Sequence, residues 1–446
     1  MHTSKQRWVL GLASAASFMI ALDSTVVTTA LSTIRRHLGA SIETLEWTVN
    51  AYVLSFAVLL LTGSALGDRF GRRRMFVAGL GLFTAASAAC ALSPNIDVLI
   101  AARTVQGAGA ALVLPLAMTQ LSAAFSPAER GRALGVWSGL TGLATFSGPF
   151  IGGAVAQGLA WQWIFWINIP IGIVTVALVL SRLRESTGPD TTLDFGGVVL
   201  ATGGAFGLVW GLVRGNSAGW GSVEVLASLG FGVLLAVAFV VWESRVRAPM
   251  LRMGFFGNRA FSAANAANFA LMGSLYATLF FLAQFFQTAQ GEGPLAAGLR
   301  LMPWTGTLMV CAPIAGALAD RVGERVFMVG GLLLQTVGMA WLALIATPTV
   351  GYGTLLAPLV LGGCGISMAM PAAQKAVVGA VRPHEIGQAS GAFSMLRQLG
   401  GVFGIAIGVA VFAHDGNFAS PQGFTNGFAP AIGVAAVLAL AGALSA

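Results

Sequence analysis

The chain is 446 residues long, 56% hydrophobic and only 9% charged, where a soluble domain carries about 25% charged residues. That is too little charge to cover a water-facing surface, which excludes a soluble enzyme, and no stretch between the apolar runs is long enough for a soluble domain. The formal charge of +8 lies mostly in the loops between those runs, where it reads as membrane topology and not as a nucleic-acid footprint.

Fourteen apolar runs follow one another, each near the roughly 20 residues that a bilayer-crossing helix requires. They predict spans at Trp8–Leu31, Trp47–Gly67, Met75–Leu92, Val98–Phe125, Ala133–Gln157, Trp163–Leu183, Phe195–Val213, Val223–Val241, Ala263–Phe286, Ala297–Ala319, Val326–Ile345, Leu355–Val378, Gln388–Phe412 and Phe428–Ala446. The expected fold is an all-α polytopic membrane protein. The first run is too long for a signal peptide and leads into a second span with no cleavage site between them.

Helix 1 carries Leu22-Asp23-Ser24-Thr25-Val26-Val27. Of the chain's 16 acids, Asp23 alone is placed deep in a span, about 12 Å from the helix end at 1.5 Å per residue. A carboxylate there costs roughly 2.5–3.5 kcal/mol on insertion scales and should face a cavity. Such a site suits reversible protonation; a static bond to helix 4 is the plainer alternative. After helix 2 comes Gly63-Ser64-Ala65-Leu66-Gly67-Asp68-Arg69-Phe70-Gly71-Arg72-Arg73-Arg74. Gly71 permits a tight turn, and Asp68 can pair with a neighbouring Arg or cap another helix. The loop then acts as a latch between bundles, or it is simply topogenic.

Helix 4 carries Arg103-Thr104-Val105-Gln106-Gly107-Ala108-Gly109. Arg103 lies about 7 Å from the helix end, in the same half of the membrane as Asp23, so the two can pair. Helix 5 places Gly148-Pro149-Phe150-Ile151-Gly152-Gly153 among other small residues, which allow close helix approach in lipid, with a bend at Pro149. Polar and aromatic groups that could line a substrate cavity are Phe18, Asn50, Tyr52, Phe56, Gln106, Asn265, Asn268, Phe269, Tyr276 and Phe280, with Arg397 of helix 13 as a counter-charge. Each aromatic taken alone is as readily a packing residue. Cys90, Cys311 and Cys364 lie in apolar runs without pairing or metal spacing and read as small hydrophobes. The four histidines sit in loops, so no metal site is expected in the membrane.

Eighteen Lys and Arg residues fall on one side of the predicted spans, three on the other, and three (Arg103, Arg300, Arg397) further inside helices. This bias predicts both termini in the cytoplasm. The chain also repeats itself. An offset of 256 carries Gly107, Gly109, Pro115, Gly148 and Gly152 onto Gly363, Gly365, Pro371, Gly404 and Gly408, and Pro127-Ala128-Glu129 onto Pro383-His384-Glu385. An offset of 252 carries Asp68-Arg69-Phe70-Gly71 onto Asp320-Arg321-Val322-Gly323. Residues 1–190 and 256–446 therefore read as two six-helix bundles, and 191–255 as an inserted helix pair. Parallel repeats of this kind build transporters with a midplane site.

The loop after helix 2, the Arg103–Gly109 segment, the Gly148–Gly153 segment and Asp23 in helix 1, in this order, resemble the major facilitator superfamily. More narrowly, the chain is similar to that family's fourteen-helix drug:proton antiporter branch, over essentially its whole length. Gln162 stands where the family usually carries a basic residue and Ser394 where it often has Asn, and the late helices lack the extra acids of several relatives, which argues against a dicationic substrate. The resemblance implies a monomeric exporter of bulky lipophilic drugs or antibiotics in the cytoplasmic membrane of a bacterium. It would use protons as coupling ion and no cofactor, with Asp23 and Arg103 carrying the proton coupling and Gly148, Pro149, Gly152 and Gly153 the antiporter motif. Export of an endogenous metabolite or lipid is the neighbouring reading. A non-transporting receptor is the rival from another class, and an intramembrane enzyme would need paired acids or a Ser–His or Cys–His set that the spans lack.

Overall fold

The computed structural model describes residues 4–187, 194–247, 249–382 and 385–446. Fourteen long helices follow in chain order: α1 (Ser4–Leu38), α2 (Ile42–Phe70), α3 (Arg72–Ala91), α4 (Ile96–Ala124), α5 (Pro127–Gly158), α6 (Asn168–Arg182), α7 (Phe195–Ala218), α8 (Val223–Arg245), α9 (Arg259–Gln284), α10 (Pro294–Val322), α11 (Glu324–Ile345), α12 (Tyr352–Gly379), α13 (Ile386–Asp415) and α14 (Pro421–Ser445). A helical turn, Trp163–Trp166, leads into α6, and a π-helical turn, Phe285–Ala289, extends α9. Among the described residues no strand occurs. Thirteen helical segments there are long and apolar enough to cross a membrane; α5, dense in glycine, is outside that count. The chain is a multi-pass membrane protein.

Helix ends follow local chemistry. Ser41, Asn95, Asp194, Ser222, Asn258 and Ser420 cap the helices that follow them, each side chain accepting a backbone N–H of the first turn. Several helices begin or end beyond the apolar run that announced them. α1 carries His37 in its last turn and α13 carries His414, so these two histidines end helices rather than lie in loops.

The internal repeat has a packing counterpart. Gly71 and Gly323 both turn the chain at positive φ, 107° and 102°, a backbone region open to glycine. Gly107 of α4 lies against the Tyr52 carbonyl of α2, and Gly363 of α12 against the Trp304 carbonyl of α10. Likewise Gly109 meets Gly79 and Phe83 on α3, and Gly365 meets Gly331 and Gln335 on α11. The side chains of Asp320 and Arg321, and residues Pro383 and His384, lie outside the described residues.

The halves meet through three seams. α5 crosses α10, with Gly153 against the Pro294 carbonyl and Gly298 against the Pro149 carbonyl. α2 runs beside α13, and the Thr29 carbonyl of α1 accepts from Gln287 Nε2 at 2.9 Å. α7 lies over the α2–α13 seam: Trp47 packs at a tilt against Phe206 and Trp210, and Asn216 donates to the Ala410 carbonyl. These contacts gather at the end opposite the basic loops. Toward the basic-loop end, α5 and α10 leave Val136, Leu140, Met309, Val310 and Ile314 exposed.

Candidate functional site

The polar centre of the first half is built around Asp23, fully buried on α1. Its Oδ2 accepts from Arg103 Nη1 at 2.5 Å. Its Oδ1 accepts from Gln106 Nε2 at 2.9 Å and from Asn168 Nδ2 at 2.8 Å. Arg103, 1% exposed, also donates to Gln106 Oε1 at 2.6 Å and, through Nε, to the Thr48 carbonyl at 3.0 Å. Its guanidinium lies 4.2 Å over the Tyr52 ring. Ser87 Oγ accepts from Gln106 Nε2 at 2.8 Å. Five helices, α1, α2, α3, α4 and α6, are thus tied by one ionic network. A charge pair this dry is tolerable only because its hydrogen-bonding groups are satisfied.

The sequence-predicted pair Asp23–Arg103 is therefore in direct contact. Gln106, expected in the cavity, is instead a member of this network inside the first half: its amide is used up by Asp23, Ser87 and Arg103. Asn168 and Ser87 escaped the sequence reading because uncharged polar residues in apolar runs are common and carry no spacing signal.

Asp23 is also not the only buried acid. Glu46 is fully buried and Glu243 is 2% exposed. The apolar run starts at Trp47 and so leaves Glu46 just outside the predicted span, whereas α2 starts at Ile42. Glu46 Oε1 accepts from Asn50 Nδ2 at 2.5 Å, and the same amide donates to the Val402 carbonyl of α13 at 3.4 Å. Glu243 Oε2 accepts from Leu251 N at 3.0 Å, which fastens α8 to the segment leading into the second half.

The remaining candidates fall in two groups. Tyr52 and Phe56 lie with ring centres 6.2 Å apart on α2, tilted to each other and both buried. On α9, the Phe269 carbonyl lies against Gly400 and its ring is 5.9 Å from that of Phe403, while the Tyr276 ring lies on Gly401. The α9 backbone at Phe269 and the Tyr276 ring thus fill the groove that Gly400 and Gly401 open on α13, the helix that carries Arg397. Phe280 is fully buried edge-on to Phe281 at 5.0 Å. Phe18 is half-buried on α1. Asn265 spends its Nδ2 on the Phe261 carbonyl. Both side-chain polar atoms of Asn268, Oδ1 of Asn50 and the Tyr52 hydroxyl are buried without a partner among the described residues, which leaves them for water or a bound molecule.

At the basic-loop end, Arg72 pairs with Asp68 across the Gly71 turn, Nε to Oδ1 at 2.8 Å. Gly63 packs against the Ala111 carbonyl of α4, and the Arg69 guanidinium lies 5.3 Å over Phe70. The cap on α3 comes from Glu185, whose carboxylate accepts from Arg73 N at 2.9 Å and Arg74 N at 3.1 Å. Sequence reasoning missed Glu185, which lies just past the apolar run of α6. These contacts of the loop stay within the first half.

In α5, Gly148 packs on Thr25 and Gly152 on Val26 and Thr29 of α1, while Gly153 and Pro149 face α10 of the other half. One helix thus touches both the strand of contacts leading to Asp23 and the opposite bundle. The cysteine reading needs correction: Cys311 of α10 and Cys364 of α12 bring their sulfurs to 3.3 Å, a meeting of separate helices that linear spacing does not show.

Comparison with known proteins places this architecture. The model of the Major Facilitator Superfamily matches residues 13–405. The chain is 33% identical over 392 residues to the tetracenomycin C resistance and export protein of Streptomyces glaucescens, covering 87% of this chain and 72% of that one. It is 34% identical over 445 residues to the cephamycin export protein of Amycolatopsis lactamdurans, covering 98% and 91%. Among solved structures, a D-xylose-proton symporter shares the fold with a TM-score of 0.71 at 14% identity, over 99% of this chain and 97% of that one.

Proposed function

The chain belongs to the major facilitator superfamily, and from that premise we propose that it exports bulky lipophilic molecules, antibiotics among them, in exchange for protons. The observation that carries this reading is the fully buried ion pair Asp23–Arg103 at the centre of five helices. An ionisable residue kept inside a membrane domain at such cost marks function. Relatives named for resistance and export support the direction of transport. Their export of compounds such as cephamycin also favours a second reading, an endogenous product carried by the same machinery.

The mechanism follows from the packing of α1. Protonation of Asp23 cancels the charge that holds Arg103 and loosens the bonds from Gln106 and Asn168. One turn on, Thr25, Val26 and Thr29 of the same helix meet Gly148 and Gly152 of α5. α5 holds the opposite half through Pro149 and Gly153, so a change at Asp23 reaches the seam through two contacts. In the conformation seen, the three seams join the halves opposite the basic loops, and toward the basic loops Leu61 of α2 also lies against Gly391 of α13. With the basic loops cytoplasmic, and both termini with them, the protein faces inward, ready to load substrate from the cytoplasm or inner leaflet of a bacterial cytoplasmic membrane. The aromatic and amide groups of α2, α9 and α13 would supply a binding surface for a neutral or singly cationic molecule, a dication being poorly matched, and one copy of the chain suffices for the cycle.

The test uses purified protein in proteoliposomes, an imposed pH gradient and ethidium as a lipophilic monocation. Gradient-driven ethidium transport is expected for the wild type and its loss for Asp23→Asn, with ethidium binding retained. Equal gradient-driven rates in both proteins would remove Asp23 from the coupling.

A further inference from the structure

Among the described residues three acids are buried within helices, and they are buried in different ways. Asp23 faces a guanidinium. Glu243 meets a backbone N–H. Glu46 faces neither: among the described residues its hydrogen-bond partner is the Asn50 amide on its own helix, and its Oε2 is buried there without a partner. We propose that Glu46 is a second proton-carrying acid of the transport cycle, protonated while the α2–α13 seam is closed and releasing its proton to water when that seam opens. The inference rests on the proton-exchange reading given above.

Position makes the case. Glu46 lies about 6 Å inside the first residue of α2, at the end where the halves touch. Asn50 Nδ2 bridges Glu46 Oε1 in one half to the Val402 carbonyl in the other, so this carboxyl is bonded into the contact that opening must break. A bare carboxylate with an orphan oxygen in a dry seam is costly, because nothing replaces the water it lost. A neutral carboxyl removes that cost. Opening hydrates the group, the O–H bond breaks, and the proton passes to water.

Charged groups on the surrounding helices do not supply a counter-ion. On α2 itself Glu43, one turn earlier, adds negative charge. On α4, Arg103 is committed to Asp23 and Thr48, and Asp97 is exposed. On α1, Arg35 stacks 3.8 Å over Phe418, and Arg36 and His37 are exposed. On α7, Arg214 pairs with Glu224 at 3.2 Å. On α13, His414 pairs with Asp415 at 3.0 Å, and Arg397 acts on Tyr276. α3 has its charges at the opposite end of the helix.

Infrared difference spectroscopy of the purified protein reads the proton without any substrate. A carbonyl stretch from a protonated carboxyl is expected in wild type at neutral pH, absent in Glu46→Gln, shifted in Glu46→Asp and kept in Asp23→Asn. With Glu243→Gln as the common background, so that the other buried acid without a cation is silent, no such band, or a band that survives Glu46→Gln, overturns the inference. If Glu46→Gln does not fold, the position of the band in Glu46→Asp decides the assignment alone. The role in opening is read from spin labels at Arg36 and Ala419, exposed positions on the two halves at this end, in a background without native cysteines. The label distance should lengthen with rising pH in wild type and stay short in Glu46→Gln. A distance that responds to pH equally in both would leave Glu46 a structural acid and refute the proposal. Failure of the wild type to move ethidium under a pH gradient would instead refute the proton-exchange reading, with the spectroscopic result standing by itself.

Discussion

The two halves share a packing plan and differ in charge. In the first, α3 and α4 interlock through Gly79 and Gly109, and the space beside them holds the ionic network of Asp23, Arg103, Gln106 and Asn168. In the second, α11 and α12 interlock through Gly331 and Gly365, and the neighbouring polar groups are neutral. Gln335 donates to Ser274 Oγ at 3.0 Å, and Thr307 and Ser367 share a hydroxyl contact at 3.2 Å. Leu359 stands at the repeat position of Arg103, fully buried. One backbone solution therefore tolerates either kind of centre. Only the first centre holds a carboxylate that a proton could neutralise, so on the proton-exchange reading proposed above the coupling would sit there and the second half would be the surface it moves against.

The hardest test of this contrast removes the charge that the second half lacks. Arg103→Ala should be the most damaging substitution considered. It leaves Asp23 without its cation and empties the space over Tyr52. Breaking a buried pair by removing one partner costs about 3–5 kcal/mol. Thermal unfolding in detergent should show a large loss of Tm together with loss of gradient-driven transport. An unchanged Tm would mean that the network is not what holds the first half together.

How far this was visible in the sequence depends on what each residue had to signal. Apolar runs set fourteen helices, and glycine and proline placed the turns and the close approaches. Two opposite charges within apolar runs were enough to bring Asp23 to Arg103. Glu46 was lost because hydrophobicity marks where lipid contact begins and not where the helix does. Glu185 and the Cys311–Cys364 contact were lost because they join segments distant in sequence, and nothing local records such a meeting. The glycines of α5 were legible as a packing face, but not which neighbour each one serves.

A smaller effect is expected at the basic-loop end. Asp68 and Arg72 are bonded to each other in a conformation whose halves meet at the far end. A half-buried pair of this kind contributes under about 1 kcal/mol to stability. Asp68→Asn should therefore leave Tm nearly unchanged. If the loop is a latch that must find new partners when this end closes, transport of ethidium should still fall sharply while binding stays intact. Wild-type rates would make the loop topogenic only, and would confine the responsive chemistry to the Asp23 network and the seam.

The smallest effect should come from the neutral centre of the second half. Gln335→Met keeps the volume and flexibility of the side chain while removing its bond to Ser274. Inside a membrane protein, a hydrogen bond between uncharged side chains is worth about 0.6 kcal/mol on average, because the separated groups find other partners. Gln335 is already imperfectly used, since its Oε1 is buried without a partner, so removing the amide also removes an unsatisfied group. Gly362 and Gly365 pack directly on this residue, so a shorter or branched replacement would test packing instead of polarity. Tm should move little, and the pH dependence of ethidium transport should follow wild type. A pH profile displaced by Gln335→Met would show that the proton is sensed in both halves, and the division between an ionic first centre and a neutral second one would no longer explain the coupling.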